Sequence, residues 1–166
     1  MPKIASKPKL SHATRDGSAR MVDVGEKPVT ARVAVAEAFV RISPALGKII
    51  RSGRAAKGPV LELARLAGIQ GAKRTDELIP LCHAIPLDGV DVEAKLERGR
   101  VRLVATVRTH ARTGVEMEAL VAVTLAALTV IDMGKAVDKG MVIEGVRVLE
   151  KRGGRSGTYL AQGSKR

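Results

Sequence analysis

The chain has 166 residues, a formal net charge of +12, one cysteine (Cys82) and two aromatic residues, Phe39 and Tyr159. That length suits one domain with a core of its own; a lone cysteine excludes an internal disulfide and fits a reducing compartment. The start of the chain lacks the apolar stretch of a secretory leader and no run reads as a membrane span, so a cytoplasmic protein with no membrane partner is expected.

The charge is unevenly spread. Residues 1–20 carry +4 and residues 151–166 carry +5, which leaves +3 for the 130 positions between them. Both ends are rich in Gly, Ser, Pro and charge, the composition of mobile tails. Residues 1–20 are therefore expected to be a basic, disordered tail, 158–166 a flexible one, and 21–157 a single domain. Binders of single-stranded nucleic acid stack bases on aromatic side chains, which this body almost lacks. Base recognition is therefore not expected, although the tails could hold phosphates.

Residues 31–42 alternate with period two, Val33, Val35 and Phe39 on one side and Arg32, Ala34, Ala36 and Ala38 on the other; this predicts a strand. Ser43-Pro44 is an N-cap followed by a first-turn proline, so 44–51 should be helical and stop at Gly53. Gly58-Pro59 opens a second helix, 59–73, whose Ala64, Gly68, Gly71 and Ala72 form a face that another backbone can approach closely. Pro80 and Pro86 then bracket an irregular stretch. Residues 90–97 and 100–108 alternate around Arg98-Gly99 as a hairpin, with acids on one strand facing arginines on the next. A long helix is expected over 116–139 with Gly140 beyond its end, and a last strand over 141–150. This order is the β-α-β-β-α-β pattern of an α+β, ferredoxin-like fold: an antiparallel sheet with helices packed on one face.

The long helix is the most informative element. Its residues 119–131 carry no charge, and a helix apolar on every side is buried on every side. Asp132 and Lys135 follow at i, i+3, a spacing that places them on one helix face at the rim of a core. There a lysine can be tuned for proton transfer, although a common surface ion pair has the same spacing. Glu116 and Glu118 open the helix, where the dipole favours acids. His83 and Cys82 lie in the proline-bracketed loop; as adjacent residues they make a poor start for a metal site, and no metal or resident cofactor is expected. Lys57 precedes a helix N-terminus, a place that favours anions. Arg32, Lys73 and Arg74 are further cations on separate elements.

Taken together, MVDV (21–24), KG (57–58), AGIQGAKRTDELIPLCH (67–83), TGVEMEAL (113–120), DMGKAVDKGM (132–141) and GGRSG (153–157) resemble the cyclic pyranopterin monophosphate synthase family, the molybdenum cofactor biosynthesis protein C family. The resemblance runs from about Met21 to Gly157. It implies a lyase of molybdenum cofactor and pterin biosynthesis, with a GTP-derived substrate, 3′,8-cyclo-7,8-dihydroguanosine triphosphate, converted to cyclic pyranopterin monophosphate and diphosphate. It implies catalytic roles for Asp132, Lys135 and Lys57. Substrate contacts would come from Leu81, Cys82, His83, Met117 and Glu118, with Glu116, Arg32, Lys73 and Arg74 at further pocket positions. It also implies a homo-oligomer, a hexamer built as a trimer of dimers, with sites between subunits; a need for Mg²⁺ is left open. The chain departs from the family at Ala84, Pro59 and Gly134, where a proline, an acid and a cysteine are common. Gly134 is expected to loosen the helix between Asp132 and Lys135. The competing function class is a basic module for RNA or ribosomal partners, supported by the +12 charge alone.

Overall fold

Ala34, Ala36, Ala38 and Val40 alternate along β1 (Thr30–Arg41), and all four are fully buried against helices. The computed structural model describes residues 17–163 except 54, 56 and 156. The chain continues through α1 (Pro44–Ser52), α2 (Val60–Ala72), α3 (Thr75–Leu78), β2 (Gly89–Glu97), β3 (Arg100–Ala111), α4 (Glu116–Gly134), β4 (Val142–Arg152) and β5 (Tyr159–Leu160). The sheet is antiparallel throughout, in the order β2-β3-β1-β4-β5. Its first four strands have the ferredoxin-like arrangement expected, an α+β fold with α2 and α4 on one face.

Small residues set the spacing of the two layers. Leu103, Val101, Ala105 and Val107 of β3 meet Ala119, Ala122, Val123, Ala126, Ala127 and Val130 of α4, all wholly enclosed. The small face foreseen on α2 packs on α4: a Cβ on Gly68 would lie 2.9 Å from the Ala122 carbonyl oxygen, and one on Gly71 would lie 3.0 Å from Leu125. α4 has the length and hydropathy of a membrane span, but half of the window that qualifies is buried inside the protein. It is not enclosed on every side, since Leu128 is 49% exposed.

The other sheet face is polar. There Glu37, almost fully buried, receives Arg102 at 3.1 Å and Arg147 at 2.8 Å. A register irregularity between Glu37 and Phe39 in the β1–β4 pairing, with Gly145 left-handed beside Phe39, marks where β4 bends. The hairpin pairs foreseen from the alternation form between Glu97 and Arg100 and between Asp91 and Arg108.

The helices depart from expectation at two places, the unforeseen short α3 and the end of α4. α1 is capped as foreseen, by Ser43 on the Leu46 N–H and by left-handed Gly53. α4 ends at Gly134, five residues before the expected end, and Lys135 is its C-cap. Gly134 is therefore the last residue of the helix. The Lys135 N–H still reaches the Ile131 carbonyl at 2.9 Å, and a Cβ at 134 would lie 2.6 Å from Leu46. Past the turn, Asp138 accepts the Ser43 N–H at 2.6 Å and ties the end of α4 to the start of α1.

Part of the expected C-terminal tail is structured, because Tyr159–Leu160 pair with β4 as a fifth strand. Lys151 and Arg152, counted above with the terminal charge, lie within β4. Residues 1–16 of the N-terminal tail and 164–166 at the other end lie outside the described residues.

Candidate active site

The proline-bracketed loop and the start of α4 meet around a cavity of about 340 Å³. Its walls include Leu81, Cys82, His83, Thr113, Gly114, Glu116, Met117 and Glu118. The loop is held by the Cys82 N–H on the Ile79 carbonyl, the Asp88 N–H on the Arg108 carbonyl and the Thr109 hydroxyl on the Pro86 carbonyl. Residues 22–27 close one side. The His83 ring lies 2.7 Å from the Val22 carbonyl through Nε2. A carbonyl only accepts, so Nε2 carries the hydrogen and Nδ1 remains for another partner.

Glu118 is 4% exposed, and its Oε2 has no hydrogen-bond partner among the described residues. Burial pushes its carboxyl up to about 7, its own backbone N–H opposes this, and the neighbouring acids Glu116 and Asp76 add to the rise. Burial likewise raises the Cys82 thiol, with Glu118 and Asp76 contributing. Near neutral pH the cavity thus offers a carboxyl poised to give or take a proton and a thiol that resists ionisation.

Asp132 and Lys135 lie at the other end of the same helix. At about 1.5 Å rise per residue, Glu116 and Asp132 stand about 24 Å apart along the axis. Lys135 Nζ reaches Asp132 Oδ1 at 2.6 Å, while Lys57 Nζ lies 3.3 Å from Oδ2 and 3.1 Å from the Asp132 backbone carbonyl. Hydrogen bonds from Lys135 and then Lys57 hold the Asp132 carboxyl below the usual carboxylate range. The desolvated rim foreseen for this pair is absent within one chain: the Lys135 and Asp132 side chains are 61% and 59% exposed. One carboxylate carrying two ammonium groups gives a net cationic surface suited to phosphate oxygens.

The remaining cations are scattered. Arg32 is committed to the backbone carbonyls of Ala111 (3.0 Å) and Arg112 (3.2 Å), close to the loop that leads into α4. Gly154 passes directly over its guanidinium, where a Cβ would lie 2.2 Å from Nη1. Lys73 borders a separate cavity with Ile69, Ile85 and Leu87, and Arg74 pairs with Glu77 at 3.3 Å. The structure therefore brings together Leu81, Cys82, His83, Glu116, Met117 and Glu118, and separately Lys57, Asp132 and Lys135. It adds Lys27, Asp76 and Lys151, which the sequence patterns did not single out. Asp76 carried a hint, lying inside the segment 67–83 that supports the resemblance, and Lys27 a weaker one, three residues beyond MVDV.

A sequence model of the MoaC family matches residues 21–154. The chain belongs to the MoaC family. It is 56% identical over 152 residues to the cyclic pyranopterin monophosphate synthase of Thermomicrobium roseum, covering 90% of this chain and 92% of that protein. The enzyme of that name from Cereibacter sphaeroides is 55% identical over 154 residues, covering 92% of this chain and 97% of its own. Cyclic pyranopterin monophosphate synthase 1 of Mycobacterium bovis is 54% identical over 156 residues, covering 93% and 92%. Every segment that carried the resemblance begins inside the MoaC match, and all but the end of GGRSG lies within it.

Proposed function

We propose that this chain is a cyclic pyranopterin monophosphate synthase of molybdenum cofactor biosynthesis. It would convert 3′,8-cyclo-7,8-dihydroguanosine triphosphate to cyclic pyranopterin monophosphate and diphosphate. The observation that carries this is the junction of Leu81, Cys82 and His83 with Met117 and Glu118 around one cavity, within a chain more than half identical to enzymes of that name.

The chemistry needs proton transfers to open the five-membered ring and close the pyran. It also needs cations for the last step, in which a substrate hydroxyl attacks the α-phosphorus, loses its proton and displaces diphosphate. In our reading Lys135 donates and accepts protons, Asp132 sets its orientation and charge, and Lys57, Lys73 and Arg32 hold phosphates. Glu118 and His83 Nδ1 contact the base-derived ring, with Leu81, Cys82, Met117 and Glu116 completing the wall. No resident cofactor is required by these roles.

Because the two groups of residues stand at opposite ends of α4, the reading places each site between copies of the chain. One copy supplies the cavity and another supplies Lys57, Asp132 and Lys135. A hexamer built as a trimer of dimers fits this. The exposed Leu63, Leu66 and Leu128 on α2 and α4 supply apolar surface for such contacts. A cytoplasmic setting and a catalytic domain over 21–157 complete the proposal.

Incubation with the cyclic dihydro-GTP substrate should release diphosphate and a pterin, and no release sinks the proposal. Shared sites are tested by mixing. Glu118→Ala and Lys135→Ala are each expected to be inactive alone and to recover up to about a quarter of wild-type activity when co-refolded, the statistical share for paired sites. No recovery would mean that each chain keeps a complete site of its own.

A further inference from the structure

One ion pair beside the cavity has no part in the roles above. Glu116 is the first residue of α4, and its carboxylate folds back over Gly114. A Cβ at 114 would lie 1.8 Å from Glu116 Oε2, so only glycine permits that conformation. On its other oxygen, Oε1, Glu116 receives Lys151 Nζ at 3.1 Å. The two side chains are 30% and 27% exposed, partly shielded from solvent.

Lys151 is itself fixed by the sheet. Its strand position pairs with Ala34 of β1 on one side and with Tyr159 of β5 on the other. Glu116 forms part of the wall of the 340 Å³ cavity and also of a second one, about 680 Å³, which Lys151, Arg147 and Tyr159 border as well. An acid at a helix start is free to turn outward to solvent. Here a glycine beneath it and an ammonium beside it hold it in the wall between two cavities.

We propose that Lys151 is a positioning residue: through its ion pair it fixes the Glu116 carboxylate against Gly114, in the orientation that the substrate meets. This rests on the function proposed above. Lys151 touches no substrate in this scheme and acts through Glu116.

The test is a double-mutant cycle on diphosphate release. Lys151→Met should lower kcat on the order of 10–100-fold with little change in KM, as expected when a positioned group drifts by about an ångström. Lys151→Arg, which keeps the charge and the reach, should recover most of that loss. Lys151→Met added to Glu116→Gln should cost little more than Glu116→Gln alone, because both break the same contact. Independent, multiplying losses would overturn the proposal, as would an unaffected kcat in Lys151→Met. Should Lys151→Met not fold, Gly114→Ala displaces the same carboxylate from its other side and must show the same kcat-selective loss; full activity there overturns the proposal too. A readout free of turnover separates this from failure of the function itself. The ¹³C carboxyl resonance of Glu116, assigned by its loss in Glu116→Gln, should move in Lys151→Met and return in Lys151→Arg. A resonance that stays in place refutes the positioning role whether or not the enzyme acts on the expected substrate.

Discussion

Lys57 and Asp132 are 75 positions apart in the chain, yet the lysine ammonium touches both the side chain and the backbone carbonyl of the aspartate. Lys135 takes the other carboxylate oxygen. Two lysines from different elements thus converge on one acid, which neither element alone would reveal.

Removing Lys135 or Asp132 should stop catalysis without unfolding the protein. Both side chains are mostly exposed, and exposed substitutions usually change stability by no more than about 0.5 kcal/mol. Loss of a group that moves protons costs about 10²–10⁴-fold in rate. Lys135→Ala and Asp132→Asn should therefore lose at least about 100-fold in diphosphate release while circular dichroism and the oligomer stay unchanged. Near-normal turnover in either variant would remove the roles given to them.

The two lysines act unequally on Asp132. Lys135 is the larger cause of its lowered carboxyl and Lys57 the smaller. An NMR titration of the Asp132 carboxyl carbon should show a greater upward shift in Lys135→Met than in Lys57→Met. The reverse order would contradict the geometry.

Glu118 imposes a pH dependence on stability. Its carboxyl is raised to about 7 in the fold, against about 4.3 for a free glutamate. Between those values the native state binds more protons than the unfolded chain, so this group's contribution falls as pH rises from about 4 to 7 and is level above. The whole effect is on the order of 4 kcal/mol at about 1.4 kcal/mol per unit. Glu118→Gln should lack this slope, so that its stability relative to wild type improves from pH 5 to pH 8 in urea melts. Parallel curves for the two proteins would mean that Glu118 titrates normally.

Gly68→Ala sets two known effects against each other. Alanine favours a helix interior by about 1 kcal/mol over glycine. The new methyl would lie 2.9 Å from the Ala122 backbone oxygen, and forcing packed elements apart costs about 1–3 kcal/mol. Net destabilisation in a urea titration is expected. A more stable variant would show that α2 and α4 have room to part.

On the polar sheet face, Glu37→Gln should destabilise by about 1–3 kcal/mol, since a buried acceptor of charged hydrogen bonds is lost. Arg102 and Arg147 are partly exposed and can turn to water, which keeps the loss at the lower end. A variant as stable as the parent would assign the ion pairs no net value.

Alternation is a local signal, so β1, β2 and β3, the hairpin turn at Arg98-Gly99 and the capped start of α1 were legible in the residues alone, whereas β5 was not. The small face of α2 was legible too, because glycine at helical spacing has few other uses. The early end of α4 was not: Leu46 packs beside Gly134 and Asp138 accepts from Ser43 at the start of α1, long-range contacts that no local pattern reports. Lys151 was hidden for a related reason. A count of charge along the chain assigns it to a basic tail, whereas pairing with Ala34 makes it part of the sheet. That Glu116 and Glu118 stand at one end of the long helix and Asp132 and Lys135 at the other was legible as well; that Leu81, Cys82 and His83 join the first end and Lys57 the second follows only from the fold.

The position of Tyr159 limits what optical methods can report. The chain has no tryptophan and Tyr159 is its sole tyrosine, carried half-exposed on the two-residue strand β5, outside the alanine and valine core. Intrinsic emission will therefore follow the docking of that last strand and be blind to the packing of the helices. An emission transition that precedes the loss of far-ultraviolet dichroism would record β5 peeling from its neighbour, an event to be kept distinct from unfolding.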